Sequence, residues 1–189
     1  APFKPKPAMS EQDYRAALEV PHNSRNALER SPSLVSKLKE EEIRDILLIN
    51  LNAHFKGDAA GEVFNGAGKT DILIRVEDRN IFIGECKVWA GPSSMDEALE
   101  QLFNYLVWRD TKAAILLFIR NKDVTAVINK AVKKIEDHPN FKRRAPQRDD
   151  DRPEFTMQAQ DDPAREIHLA LVPFALRTPD ADATTATNE

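Results

Sequence analysis

Residues 113–119 (AAILLFI) form an apolar run with no polar interruption. A strand that is apolar on both faces must be covered on both faces, which is the situation of a central strand in an α/β sheet. Upstream, residues 71–76 (DILIRV) and 81–88 (IFIGECKV) have strand composition. Only the polar residues 77–80 (EDRN) separate them, which predicts an antiparallel hairpin. A hairpin joined to a fully covered strand predicts a central mixed sheet.

The segments around these strands have helical periodicity. Residues 37–55 place Ile43, Ile46, Leu47, Leu51 and Phe55 on one face, with Leu48 and Ile49 widening it and Gly57 as the stop. Ser94 reads as the cap of a helix reaching to residue 109, and 124–135 is a further amphipathic helix. With a short strand at 62–65, the order from residue 37 onward is helix, strand, strand, strand, helix, strand. Residues 138–152 read as a charged loop, and 154–160 and 166–176 as two more strands. Near the start, Ser10 caps a helix that Pro21 should end after Leu18, and Ser31-Pro32 opens another segment. The expected organisation is a proline-rich linker (1–9), a helical N-terminal extension (10–35), one α/β domain (36–177) and a disordered tail of low hydrophobicity (178–189).

Composition narrows the function classes. Apolar residues make up 41% of the chain, enough for a core, and the net charge of −4 argues against a general phosphate-coating protein. No apolar run approaches the roughly 18 residues of a membrane span. No leader pattern is visible, and the lone Cys86 cannot form an internal disulfide, so the expected location is the cytoplasm. The four histidines are scattered and have no cysteine pair beside them, which argues against zinc. The GAGKT stretch at 66–70 is not a phosphate loop: Val63 stands where the first glycine is needed, and a strand rather than a helix follows.

The chemistry concentrates in the hairpin. Side chains alternate along a strand, so Ile81, Ile83, Glu85 and Lys87 share one face, and antiparallel pairing brings Asp71 toward Glu85. Two carboxylates and a lysine in otherwise apolar strands are costly to bury without compensation. A divalent cation supplies it: the carboxylates of Asp71 and Glu85 with the backbone carbonyl of Cys86 suit Mg²⁺ (or Mn²⁺).

This D-(x)13-E-x-K pattern from Asp71 to Lys87, within the element order above, resembles the PD-(D/E)XK nuclease superfamily over residues 40–120. The string GEVFNGAGKTDILIRVEDRNIFIGECKVWAG resembles a bacterial branch of it, with Thr70 where the superfamily name has proline. The resemblance implies a restriction-endonuclease-like αβββαβ core with a central mixed sheet flanked by helices. It implies a metal-dependent endonuclease that hydrolyses phosphodiester bonds, in DNA before RNA, with Asp71 and Glu85 as ligands and Lys87 steering water and phosphate. It also implies a glutamate from the first core helix: Glu40, Glu41 and Glu42 are the candidates, Glu41 the favoured one. Gln101, with Tyr105 one turn on, matches a Q-x-x-x-Y element of related nucleases.

Several expectations stand further from the motif. Lys142, Arg143 and Arg144, with Lys133 and Lys134, form the most basic stretch, a phosphate-contacting flank if not a solvated loop. Trp89 and Trp108 read as packing residues, and Glu62 as a surface acid before a supporting one. A double-strand break needs two active sites, hence a homodimer. By analogy alone, an upstream sensor domain would make the chain the effector of a bacterial antiviral defence or restriction system. The alternative is a nucleic-acid-binding or assembly module that kept the fold and lost cleavage.

Overall fold

The computed structural model describes residues 1–4, 10–55, 59–65, 68–76, 79–146 and 151–177, with the backbone alone for 59–65, 68–70, 76 and 79–81. In chain order the elements are α1 (Glu11–Glu29), α2 (Pro32–Val35), α3 (Glu40–His54), β1 (Ala59–Asn65), β2 (Gly68–Val76) and β3 (Arg79–Val88). They continue with α4 (Pro92–Tyr105), β4 (Lys112–Ile119), α5 (Val124–Glu136), β5 (Phe141–Arg144), β6 (Glu154–Ala159) and β7 (Asp162–Ala175). The expected helix stop at Gly57, the hairpin tip at 77–78 and the tail at 178–189 lie outside the described residues.

The strands form one mixed sheet in the order β1-β2-β3-β4-β7-β6-β5. β1, β2 and β3 are an antiparallel meander, β4 runs parallel to both β3 and β7, and β6 and β5 complete the sheet antiparallel. The uninterrupted apolar run is β4, buried along its whole length. Both faces need cover, and the helices divide accordingly. Phe82, Cys86, Leu116 and Phe118 pack with α1 and α3, whereas Leu73, Ile83, Ile115 and Leu117 pack with α4 and α5. The chain is therefore an α/β protein with an open mixed sheet flanked by helices.

Three elements differ from expectation. Pro21 does not end α1, which runs to Glu29. Proline inside a helix costs about 3 kcal/mol. Here it sits within the stripe Tyr14, Ala17, Leu18, Pro21, Ser24, Arg25 and Leu28, all buried. Each large apolar side chain in such a stripe returns about 1.5–3 kcal/mol on burial, so packing overrides the local penalty. α1 is thus part of the core rather than an appendage: Tyr14 is fully buried and its hydroxyl donates to the Ala113 carbonyl at 2.8 Å.

The second difference is α4, which starts at Pro92, two positions before Ser94, and stops at Tyr105. Gly91, at its N-cap, has φ of 103°, a left-handed conformation that favours glycine. Ser94 sits inside the first turn, where its hydroxyl donates to the Gly91 carbonyl and accepts from the Ala90 N–H. At the other end the Asp110 carboxylate accepts from the Val107 N–H and turns the chain toward β4. Third, the charged loop contains β5, an edge strand paired with β6. Its ladder is made by backbone groups, which composition does not reveal, and its charged side chains suit an edge that must not pair further.

Candidate active site at a strand fork

The β2–β3 ladder runs from the hairpin as far as the pair Ile72 and Gly84, and there it ends. Beyond that pair β2 continues against β1, and β3 continues against β4. The two strands fork. Gly84 marks the last close approach: a Cβ there would meet the Cβ of Ile72 at 3.2 Å and Cδ1 of Leu116 at 3.3 Å. The next residues in line are Asp71 on β2 and Glu85 on β3.

A fork leaves backbone donors of β3 without a neighbouring strand, and such groups need partners. Carboxylates supply them. Cys86 N–H donates to Oδ2 of Asp71 at 2.9 Å, and Val88 N–H donates to Oε2 of Glu40 at 2.8 Å. Alternation places Glu85 and Lys87 on the α4 face, beside Ile83. Glu85 is only 2% exposed, and Lys87 forms an ion pair with Glu97 of α4 at 2.6 Å.

The electrostatics describe one cluster. Burial pushes the Cys86 thiol well above its ordinary pKa, and the charges of Asp71, Glu85 and Glu40 push it further, against Arg44. Glu40 is also held above the usual carboxylate range, first by burial and then by Asp71, despite its bond from Val88. Arg44, on α3, reaches Oδ1 of Asp71 at 3.8 Å.

The expected site residues are therefore placed as follows. Asp71, Glu85 and Lys87 lie together at the fork. Of the three helix acids, Glu40 rather than the favoured Glu41 turns to β3; Glu41 is exposed. The buried stripe could have identified it. Leu51, Leu47 and Arg44 continue back by helical spacing to Glu40, whereas Glu41 continues to the exposed Asp45. Gln101 is exposed on α4, one turn from Glu97, and Tyr105, one turn further, is buried. Burial raises the Tyr105 hydroxyl pKa, and Asp110 and Glu85 add to the effect, against Arg75. The side chain of Glu62 lies outside the described residues. Arg44 and Glu97 were not anticipated, because a charged residue on a helix carries no mark in sequence of the partner it will meet.

The basic flank is elsewhere. β5 is the opposite edge of the sheet, four strands from β3, a separation of about 19 Å at about 4.8 Å per strand. Lys142 and Arg143 both pair with Glu166, and Arg144 pairs with Glu136. The bonds from Arg143 and Lys142 pull the Glu166 pKa down to about 2. In this structure these cations are paired with carboxylates at the sheet edge away from the fork. Replacing Lys142, Arg143 and Arg144 together by glutamine should leave the salt dependence of DNA affinity unchanged. A log–log slope reduced by about 2–3 units would restore the flank as a phosphate contact.

Trp89 is buried. Trp108 is 40% exposed; it donates to Asp162, and the Arg165 guanidinium lies 4.6 Å over its ring.

Fitness for a metal ion rests on donor chemistry. Among the described residues no three Asp, Glu, His or Cys side chains converge on a single ion position. The donor types suit a hard divalent ion, since carboxylates and main-chain carbonyls are oxygen ligands. Asp71 is engaged at both oxygens, by Cys86 N–H at one and Arg44 at the other. Among the described residues no helix is long and apolar enough to cross a membrane. Comparison of the chain with family models, curated proteins and solved structures finds no match.

Proposed function

We propose that the chain is a metal-dependent nuclease of the PD-(D/E)XK, restriction-endonuclease-like kind, hydrolysing phosphodiester bonds in nucleic acid, DNA before RNA. The observation that carries this is the fork: it sets Asp71 beside Glu85, with Lys87 next along the same face and Glu40 closing the β3 edge. The order α3, β1, β2, β3, α4, β4 supports the same assignment.

Asp71, Glu85 and the Cys86 carbonyl would hold Mg²⁺ or Mn²⁺. When bound, such an ion lowers the pKa of its water and neutralises charge on the phosphoryl oxygens. Lys87 provides a second positive charge. Its side chain is 20% exposed and held from the solvent side by Glu97, which is itself 61% exposed. An ammonium held so lightly can turn to a phosphate oxygen, and lysine acts there as a point charge. Glu40 keeps the end of β3 in place through Val88 and so fixes where Lys87 emerges.

Cleavage of plasmid DNA, single-stranded DNA and RNA, in Mg²⁺ and in EDTA, tests the proposal. Wild type should cut at least one substrate in Mg²⁺ and none in EDTA, and Asp71→Asn should lose most of that activity. Asp71→Asn cutting as well as wild type would remove the assignment. Binding of DNA in Ca²⁺ without cleavage in Mg²⁺ or Mn²⁺ would convert the chain to a binding module.

A further inference from the structure

Arg44 is 8% exposed on the buried face of α3, between Ile43 and Leu47. A guanidinium is always charged, and burying it is costly unless it is paired. Its Nε and Nη2 both donate to Oδ1 of Asp45, at 3.2 and 3.1 Å, on the solvent side, where Asp45 is 60% exposed. Its remaining nitrogen, Nη1, faces inward to Oδ1 of Asp71 at 3.8 Å. That oxygen is the one Cys86 N–H does not take.

Asp71 and Glu40 accept from N–H groups two residues apart on the same edge of β3, Glu85 precedes Cys86 on that strand, and Lys87 is already paired with Glu97. Carboxylates crowded in this way repel one another unless a cation stands among them. We propose that Arg44 is the built-in counter-ion of the site: it holds Asp71 in place when no divalent ion is bound, and it competes with that ion for Oδ1 of Asp71. This rests on the nuclease assignment and adds to it a residue that sets how tightly the ion binds. A divalent ion that took the same oxygen would lie close to the guanidinium, and the like charges would repel. Arg44 acts through Asp71 and is a positioning residue, so its signature is metal affinity rather than rate alone.

The test is Mn²⁺ binding by calorimetry to the full chain as wild type, Arg44→Met, Arg44→Lys and Asp71→Asn, with melting curves in EDTA and in Mn²⁺. Arg44→Met should bind Mn²⁺ about tenfold tighter or more, because the repelling charge is gone. Arg44→Lys keeps the charge and should stay within about threefold of wild type. In EDTA, Arg44→Met should melt below wild type, and Mn²⁺ should narrow the gap. If Arg44→Met does not fold in EDTA, Mn²⁺ should restore its circular dichroism, and failure to do so overturns the proposal. Arg44→Met binding no tighter than wild type, while Asp71→Asn abolishes binding, refutes the role of Arg44 and leaves the nuclease assignment standing. Equal tightening in Arg44→Lys and Arg44→Met refutes it too, because charge would then be irrelevant. Mn²⁺ binding indifferent to Asp71→Asn removes the metal site itself, and the counter-ion with it.

Discussion

Lys87→Ala should slow single-turnover cleavage in Mg²⁺ by about 10²–10³-fold, the usual loss when one preorganised group that stabilises transition-state charge is removed. Stability should hardly move. The partner of Lys87 is the exposed Glu97, and an exposed ion pair contributes about 0–1 kcal/mol. DNA affinity measured with Ca²⁺ in place of Mg²⁺ should fall much less than the rate, because one phosphate contact among several is lost. Glu97→Gln serves as the companion variant. It releases Lys87 without removing it, so its cleavage rate should stay within about tenfold of wild type. Comparable rates for wild type and Lys87→Ala would sink the role assigned to Lys87.

The other large effect concerns the first helix. Tyr14→Ala should destabilise the chain by about 3–5 kcal/mol, as large-to-small changes of buried aromatic residues do. The corresponding loss in melting temperature is about 6–20 °C for a chain of this size. Tyr14 is fully buried, packs near Phe82 with ring centroids 6.1 Å apart, and donates from α1 to the Ala113 carbonyl of β4. Tyr14→Phe keeps the ring and loses only the hydroxyl, so its cost should be about 0.5–1.5 kcal/mol. A chain starting at residue 36 should not fold, since it would lose the cover that α1 gives to α3 and to that face of the sheet. A cooperative melting transition in that truncated chain would show that α1 is dispensable after all.

Much of the sheet was legible because its signals are local. The alternation in 71–76 and 81–88 and the apolar run at 113–119 each reflect side-chain direction within one strand. The same alternation placed Glu85 and Lys87 on one face, and the short polar connection brought Asp71 opposite them. Local signals failed where packing outweighed propensity. Pro21 read as a helix end because its intrinsic penalty is visible in sequence, whereas the stripe burying it against α3 and the sheet is not. β5 read as a loop because its charged side chains are visible and its backbone ladder to β6 is not.

By itself, then, the sequence determined the α/β order, the covered central strand, and the shared face of the acid and the lysine, since each depends only on repeats of two or 3.6 residues. The tertiary structure alone decided which charges meet. Glu40 reaches Val88 across 48 positions of sequence, and Lys142 meets Glu166 across 24. Glu41 differs from Glu40 by one step around a helix, yet that step separates solvent from the fork. Whether Arg144 faces a phosphate or Glu136 likewise depends on which segments fold side by side. An ionic partner is chosen by proximity in space, and a charged residue carries the same composition whether its partner is water, a carboxylate or a substrate.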